Sequence, residues 1–218
     1  IAAYYNSHDY EMAYRAIKAF PNPDGTQRAA LQKIAYFKGL EAFMADDYEK
    51  AKSALTESQN IGVSPKYNAL SLFWLGEIEY KLGNYPKAIS HYDAYLKRAP
   101  KSEREYKMAL YNLGYAHLAQ DNMARSQKAF EGFVWLYKMA DRYRADAFNR
   151  LGDTQYSQRK YNEAVKSYEG AIALGTSEQD YAKYQRAMSL GLAGNATAKI
   201  GALRQMQGEN CGYYNDDA

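Results

Sequence analysis

Residues 75–100 read LGEIEYKLGNYPKAISHYDAYLKRAP. A helical face runs through the stretch, yet Gly76 lies inside it, where glycine costs about 1 kcal/mol relative to alanine. Gly83-Asn84-Tyr85-Pro86 then breaks the pattern. Gly83 and Asn84 both suit the left-handed conformation that ends a helix, and Pro86 suits the first turn of a new one. Ala88, Ile89, Tyr92, Tyr95 and Leu96 continue on one face, and Pro100 marks the stop. The stretch reads as a helical hairpin.

Aligning the chain on Gly76 exposes a repeat. Gly39, Gly76, Gly114, Gly152 and Gly191 stand 37, 38, 38 and 39 residues apart, and leucine precedes the last four. Nine residues after the glycine come Tyr48, Tyr85, Met123 and Tyr161, and twelve after it the small residues Ala51, Ala88, Ser126 and Ala164. Sixteen after it come Leu55, Tyr92, Phe130 and Tyr168. Helix breaks recur at Asp46-Asp47, Asp121-Asn122 and Arg159-Lys160. The spacing predicts a half repeat at about 9–20 and repeats at about 32–64, 69–101, 107–140 and 145–177, then an irregular unit at 184–207. PNPDGT at 21–26 reads as a loop.

The pattern resembles the tetratricopeptide repeat, carried by Leu75-Gly76, Tyr80, Gly83, Tyr85, Ala88, Tyr92 and Pro100 with their counterparts. That family's usual unit is about 34 residues. The longer units here are more similar to those of bacterial multi-repeat and cell-envelope assembly proteins, which favours a periplasmic setting. The resemblance implies an all-α, right-handed solenoid in which the small residues at 76 and 88 let paired helices approach.

It also implies a non-catalytic scaffold whose first helices line a concave groove for a peptide or partner protein, with no cofactor and no metal. The groove positions are Tyr36 and Phe37; Phe73, Trp74, Glu77 and Tyr80; Tyr111, Asn112 and Tyr115; and Asn149, Arg150, Asp153 and Tyr156. An aromatic-rich groove grading into a polar end suits an extended peptide or helix. Some family members hold an acidic C-terminal peptide in a lysine, asparagine and arginine clamp. Asn112, Asn149 and Arg150 match it in part, but Tyr36, Phe73 and Tyr111 replace the lysines, so that specificity is not carried over.

Composition agrees with a helical, folded chain: 5 prolines and 23 tyrosines in 218 residues, with a net charge of +3. Tyrosine joins an apolar ring to a polar tip and suits half-buried layers and contact surfaces. No window is apolar enough to span a membrane. The start at Ile1 reads as a processed or trimmed piece of a longer protein. His8, His91 and His117 fall in different units without metal-site spacing, with His91 expected on a helix surface. Cys211 has no local histidine partner, and Asn195-Ala-Thr197 matches a glycosylation sequon such as chance supplies.

Two alternatives stand beside the scaffold. One is a structural spacer within a longer array, which self-associates through exposed repeat ends. The other is an RNA-binding helical-repeat protein. No nucleic acid is expected, because the basic runs Lys97-Arg98, Lys101–Lys107 and Arg142–Arg144 are interleaved with acids.

Overall fold

The computed structural model describes residues 10–177 and 179–209. His8, Cys211, Asp9 at the start of the half repeat and the closing Tyr213-Tyr214 lie outside them. The described residues form eleven α-helices and no strand: α1 (Tyr10–Lys18), α2 (Gly25–Met44), α3 (Tyr48–Ile61), α4 (Pro65–Lys81), α5 (Tyr85–Leu96), α6 (Arg104–Leu118), α7 (Met123–Leu136), α8 (Arg142–Ser157), α9 (Tyr161–Ile172), α10 (Gln179–Leu192) and α11 (Ala196–Glu209). This is an α-α solenoid built of helical hairpins. It divides into two compact units, up to Ala109 and from Leu110, with the division inside α6.

The four hairpins from α2 to α9 are held by the same contact. A Cβ at Gly76 would stand 2.7 Å from the Tyr92 ring. The equivalent distances are 2.6 Å from Leu55 at Gly39, 2.6 Å from Phe130 at Gly114 and 2.5 Å from Tyr168 at Gly152. The large residue sixteen positions on therefore lies flat against the glycine backbone, and any side chain there would collide with it. Tyr92, more than Ala88, is what the glycine accommodates. The helix-propensity cost is offset by four fully buried large residues, each worth roughly 1.5–3 kcal/mol of transfer. Ala51, Ala88, Ser126 and Ala164 are buried one turn earlier. The Ser126 hydroxyl is satisfied there by donating to the Gly114 carbonyl at 2.9 Å.

The turns are equally uniform. Asp46, Gly83, Asp121, Arg159 and Gly194 have φ of 56, 75, 53, 60 and 89°. The next N–H in each case returns to a carbonyl five residues back at 2.8 to 2.9 Å, as Asn84 does to Glu79. This double-bonded ending caps the orphan carbonyls of the first helix. Only Gly83 of the Gly83-Asn84 pair is left-handed; Asn84 has φ −82° and begins the second helix. Helix α5 ends at Leu96, before Pro100, because the Arg98 and Ala99 N–H groups turn back onto the Tyr95 carbonyl at 2.9 Å. The 21–26 loop is shorter than expected. Asp24 caps α2 from Gly25 onward, exchanging hydrogen bonds with Gln27 at 2.8 and 2.9 Å.

Gly191 is not the fifth counterpart of Gly76. The left-handed turn residue follows the other four glycines by seven positions but follows Gly191 by three. A Cβ at Gly191 would meet only the flexible Lys199 side chain. The small residue seven before Gly194 is Ala187, which is fully buried, and it stands 35 residues after Gly152.

Candidate protein-interaction faces

In the unit up to Ala109, the first helices α2 and α4 lie side by side through aromatic rings. Trp74 packs edge-on to Phe43 and Phe73, with ring centroids 5.0 and 5.2 Å apart. Its Nε1–H donates to the Tyr36 hydroxyl at 3.1 Å. Tyr67, nine positions before Gly76, tilts against Tyr36 at 5.2 Å and Phe37 at 6.3 Å. Tyr36 is 6% exposed and Phe73 5%. Burial pushes the Tyr36 hydroxyl up to about 12, against a smaller opposing pull from the Trp74 donor. Phe37, Trp74, Glu77 and Tyr80 keep half-buried surface. Tyr36 and Phe73 therefore support the face, and the other four of the expected positions line it.

Glu77 has a structural duty as well. The Tyr92 ring crosses Gly76 and its hydroxyl emerges to donate to Glu77 Oε1 at 2.6 Å. The same link recurs between Tyr168 and Asp153 Oδ1 at 2.8 Å. Where residue +16 lacks a hydroxyl, residue +1 is not an acid: Phe130 faces Tyr115, with centroids 5.3 Å apart, and Leu55 pairs with Leu40 in register.

In the unit from Leu110, the corresponding face is a polar ladder across α6, α8 and α10. Tyr111 and Tyr115 both donate to Asp146 Oδ2, at 2.7 and 2.5 Å. Arg150 donates through Nε to Asp146 Oδ1 at 3.3 Å and through Nη1 to Asp153 Oδ2 at 2.6 Å. Tyr168 and Tyr181 both donate to Asp153 Oδ1, and the guanidinium lies over the Tyr181 ring at 5.4 Å. Burial, with the Asp146 acceptor next, drives the Tyr111 and Tyr115 hydroxyls far above the ordinary tyrosine range. For Tyr168, burial and then the Asp153 charge do the same. Burial opposes the Arg150 charge, but Asp153, Tyr115 and Asp146 together hold it above its usual value.

Asn149 is fully buried, so it does not line this face, whereas Asn112, Tyr115, Arg150, Asp153 and Tyr156 are half-buried along it. Tyr111, half-buried, is committed to Asp146 and to the Phe133 and Tyr143 rings at 5.1 and 5.7 Å. Arg150 is paired with the two carboxylates of Asp146 and Asp153 on its own helix.

The sequence reading missed Tyr67, Tyr143 and Tyr181. Tyr67 and Tyr143 share a register nine residues before the glycine, and that recurrence was the available signal. His91 is half-buried rather than on the surface, and burial lowers its pKa. Near it, Glu79 is 1% exposed and bound by Lys52 Nζ at 2.5 Å and Asn84 Nδ2 at 2.9 Å. Among the described residues no helix is long and apolar enough to cross a membrane, and no group of histidine, cysteine or carboxylate side chains is placed to hold a metal.

Comparison with known proteins agrees with this frame. Profiles of the tetratricopeptide repeat match residues 69–102 and 111–178. Of the solved structures, BtubC (BKLC) from P. vanneervenii is 16% identical with a TM-score of 0.64, covering 95% of this chain and 90% of that one. MamA from Desulfovibrio magneticus is 18% identical with a TM-score of 0.62, covering 81% and 93%. YrrB, a TPR protein with an unusual peptide-binding site, is 13% identical with a TM-score of 0.67, covering 80% and 84%. At these identities the likeness is one of fold. None of the curated proteins matches the chain.

Proposed function

We propose, from the premise that this chain is a tetratricopeptide-repeat protein, that it is a non-catalytic interaction scaffold anchored by the aromatic face of α2 and α4. One observation carries the reading. Trp74 and Tyr80 are half-buried and keep part of their surface open while held in place, Trp74 by Phe43 and Phe73 and Tyr80 by the Tyr85 ring of its own hairpin at 5.5 Å, and rigid aromatics are the residue type that anchors partners. YrrB, which shares the fold, is itself a peptide-binding protein. The ladder of α6, α8 and α10 contributes a polar, pre-arranged surface around Asn112, Asp153 and Tyr156, with its charges already partnered.

The test is selection of peptides from a displayed random library on the intact chain. Selected peptides should bind the Trp74→Ala, Tyr80→Ala variant at least about tenfold more weakly, with its helical circular dichroism retained. Selection that yields no binder, or binders indifferent to both rings, would sink the reading. A spacer role is the second reading, favoured by Leu192 and Ile200, each 50% exposed on α10 and α11. Concentration-dependent self-association lost in Leu192→Ser, Ile200→Ser would support it.

A further inference from the structure

We propose that the outward stripe of α7 and the segment after it, Lys128 to Arg142, is a peripheral docking surface for an anionic lipid bilayer. Trp135 is 68% exposed and Met139 64%. The repeat frame asks for neither. The positions equivalent to Trp135 in the other hairpins are Asn60, Lys97 and Ala173, and those equivalent to Met139 are Ser64, Lys101 and Ser177. On α7 the inward face is taken by Ser126, Ala129, Phe130 and Phe133. Trp135 therefore falls on the opposite stripe, above Glu131 and Lys128 at helical spacing.

Charge decides what this surface fits. Arg125, Lys128, Lys138 and Arg142 are exposed around the two apolar residues. The acids among them keep their charge, Glu131 accepting from Gln127 at 2.7 Å and Asp141 capping α8 and accepting from the Tyr137 hydroxyl at 2.5 Å, so the four cations exceed them by two. Indole favours the headgroup level of a bilayer, where its ring is apolar-solvated and its N–H stays wet. Flanking cations are attracted to anionic headgroups over about one Debye length, ~8 Å at physiological salt. A protruding indole needs a matching pocket on a protein partner, whereas lipid closes around it. No described helix is long and apolar enough to span, so contact is from the side.

The test is co-sedimentation of the intact chain with vesicles of phosphatidylcholine alone and of equimolar phosphatidylcholine and phosphatidylglycerol. Binding to the mixed vesicles should be at least about tenfold tighter at low salt. The exposed pair Trp135→Ser, Met139→Ser should lower that binding about tenfold without moving the melting temperature. Lys128→Gln, Lys138→Gln should bring it close to the phosphatidylcholine level. Absence of binding to mixed vesicles, or binding untouched by the apolar pair, overturns the proposal. Trp135-dependent capture of polyglutamate without vesicle binding also overturns it, in favour of an acidic protein partner.

Discussion

The two units use one hairpin frame and fill its first-helix face in opposite ways. Up to Ala109 the face is a half-buried cluster of Phe37, Phe43, Tyr67 and Trp74 in ring-to-ring contact. From Leu110 it is a ladder in which four tyrosine hydroxyls and Arg150 converge on two aspartates. Even the shared contact between the residue three before the glycine and the tyrosine of the next hairpin splits this way. Tyr36 meets Tyr67 and accepts from Trp74, whereas Tyr111 meets Tyr143 and donates to Asp146. Stacking is thus set by the glycine, the small residue and the large residue at +16, and the neighbouring positions are left to set what the face offers.

The largest expected effect tests what the units share. Gly76→Leu and Gly152→Leu should each destabilise by roughly 1–3 kcal/mol, because each drives a side chain into a buried tyrosine ring. Denaturant midpoints unchanged in either variant would break the common frame. Next comes Asp153→Ala, which removes the acceptor shared by the Tyr168 and Tyr181 hydroxyls and half of Arg150's pairing. Its cost should be about 2 kcal/mol, while Glu77→Ala, which removes one acceptor from one tyrosine hydroxyl, should cost about 1 kcal/mol. Equal losses in urea titration would erase the distinction between ladder and cluster.

The turns reverse the sign. Arg159 and Asp121 hold left-handed backbone that glycine adopts without penalty. Arg159→Gly should therefore stabilise by about 1 kcal/mol in thermal melts, and Gly83→Ala should destabilise by a similar amount. The smallest effect is in pH. Burial opposes ionisation of Glu79, but hydrogen bonds from Lys52 and Asn84 outweigh it and hold its pKa below the ordinary 4.5. Its contribution to stability is thus fully present above pH 4.5 and lost as pH falls through the lower folded value. The register equivalents from Leu110 onward are His117 and Gln155, neither of which is a carboxylate. Acid should loosen α4 first in hydrogen exchange, and Glu79→Gln should remove the difference.

Much of the frame was legible in the sequence because it rests on backbone approach and backbone turns, which only a few residue types permit. The phasing of Gly76 and Tyr92, and of Gly83 with its counterparts, could be read from spacing, but the resemblance set Gly76 against Ala88 and the close contact is with Tyr92. The fifth hairpin misled because Leu190-Gly191 imitates the motif pair in a hairpin whose turn comes four residues earlier. Gly194, only three positions on, was the warning. The face was harder. Whether Phe73 lines it or supports it depends on Tyr95 from the next helix, 5.5 Å away, and no local pattern encodes that. The pairing of Tyr92 with Glu77 and of Tyr168 with Asp153 was visible as a covariation between +16 and +1, once the repeats were aligned.

The claim that the aromatic unit anchors the partner is tested most directly by hydrogen–deuterium exchange of the intact chain with a selected peptide. Added protection should concentrate in α2 and α4, around Phe37, Trp74 and Tyr80. Protection confined to α8 and α10, with α2 and α4 unchanged, would contradict it.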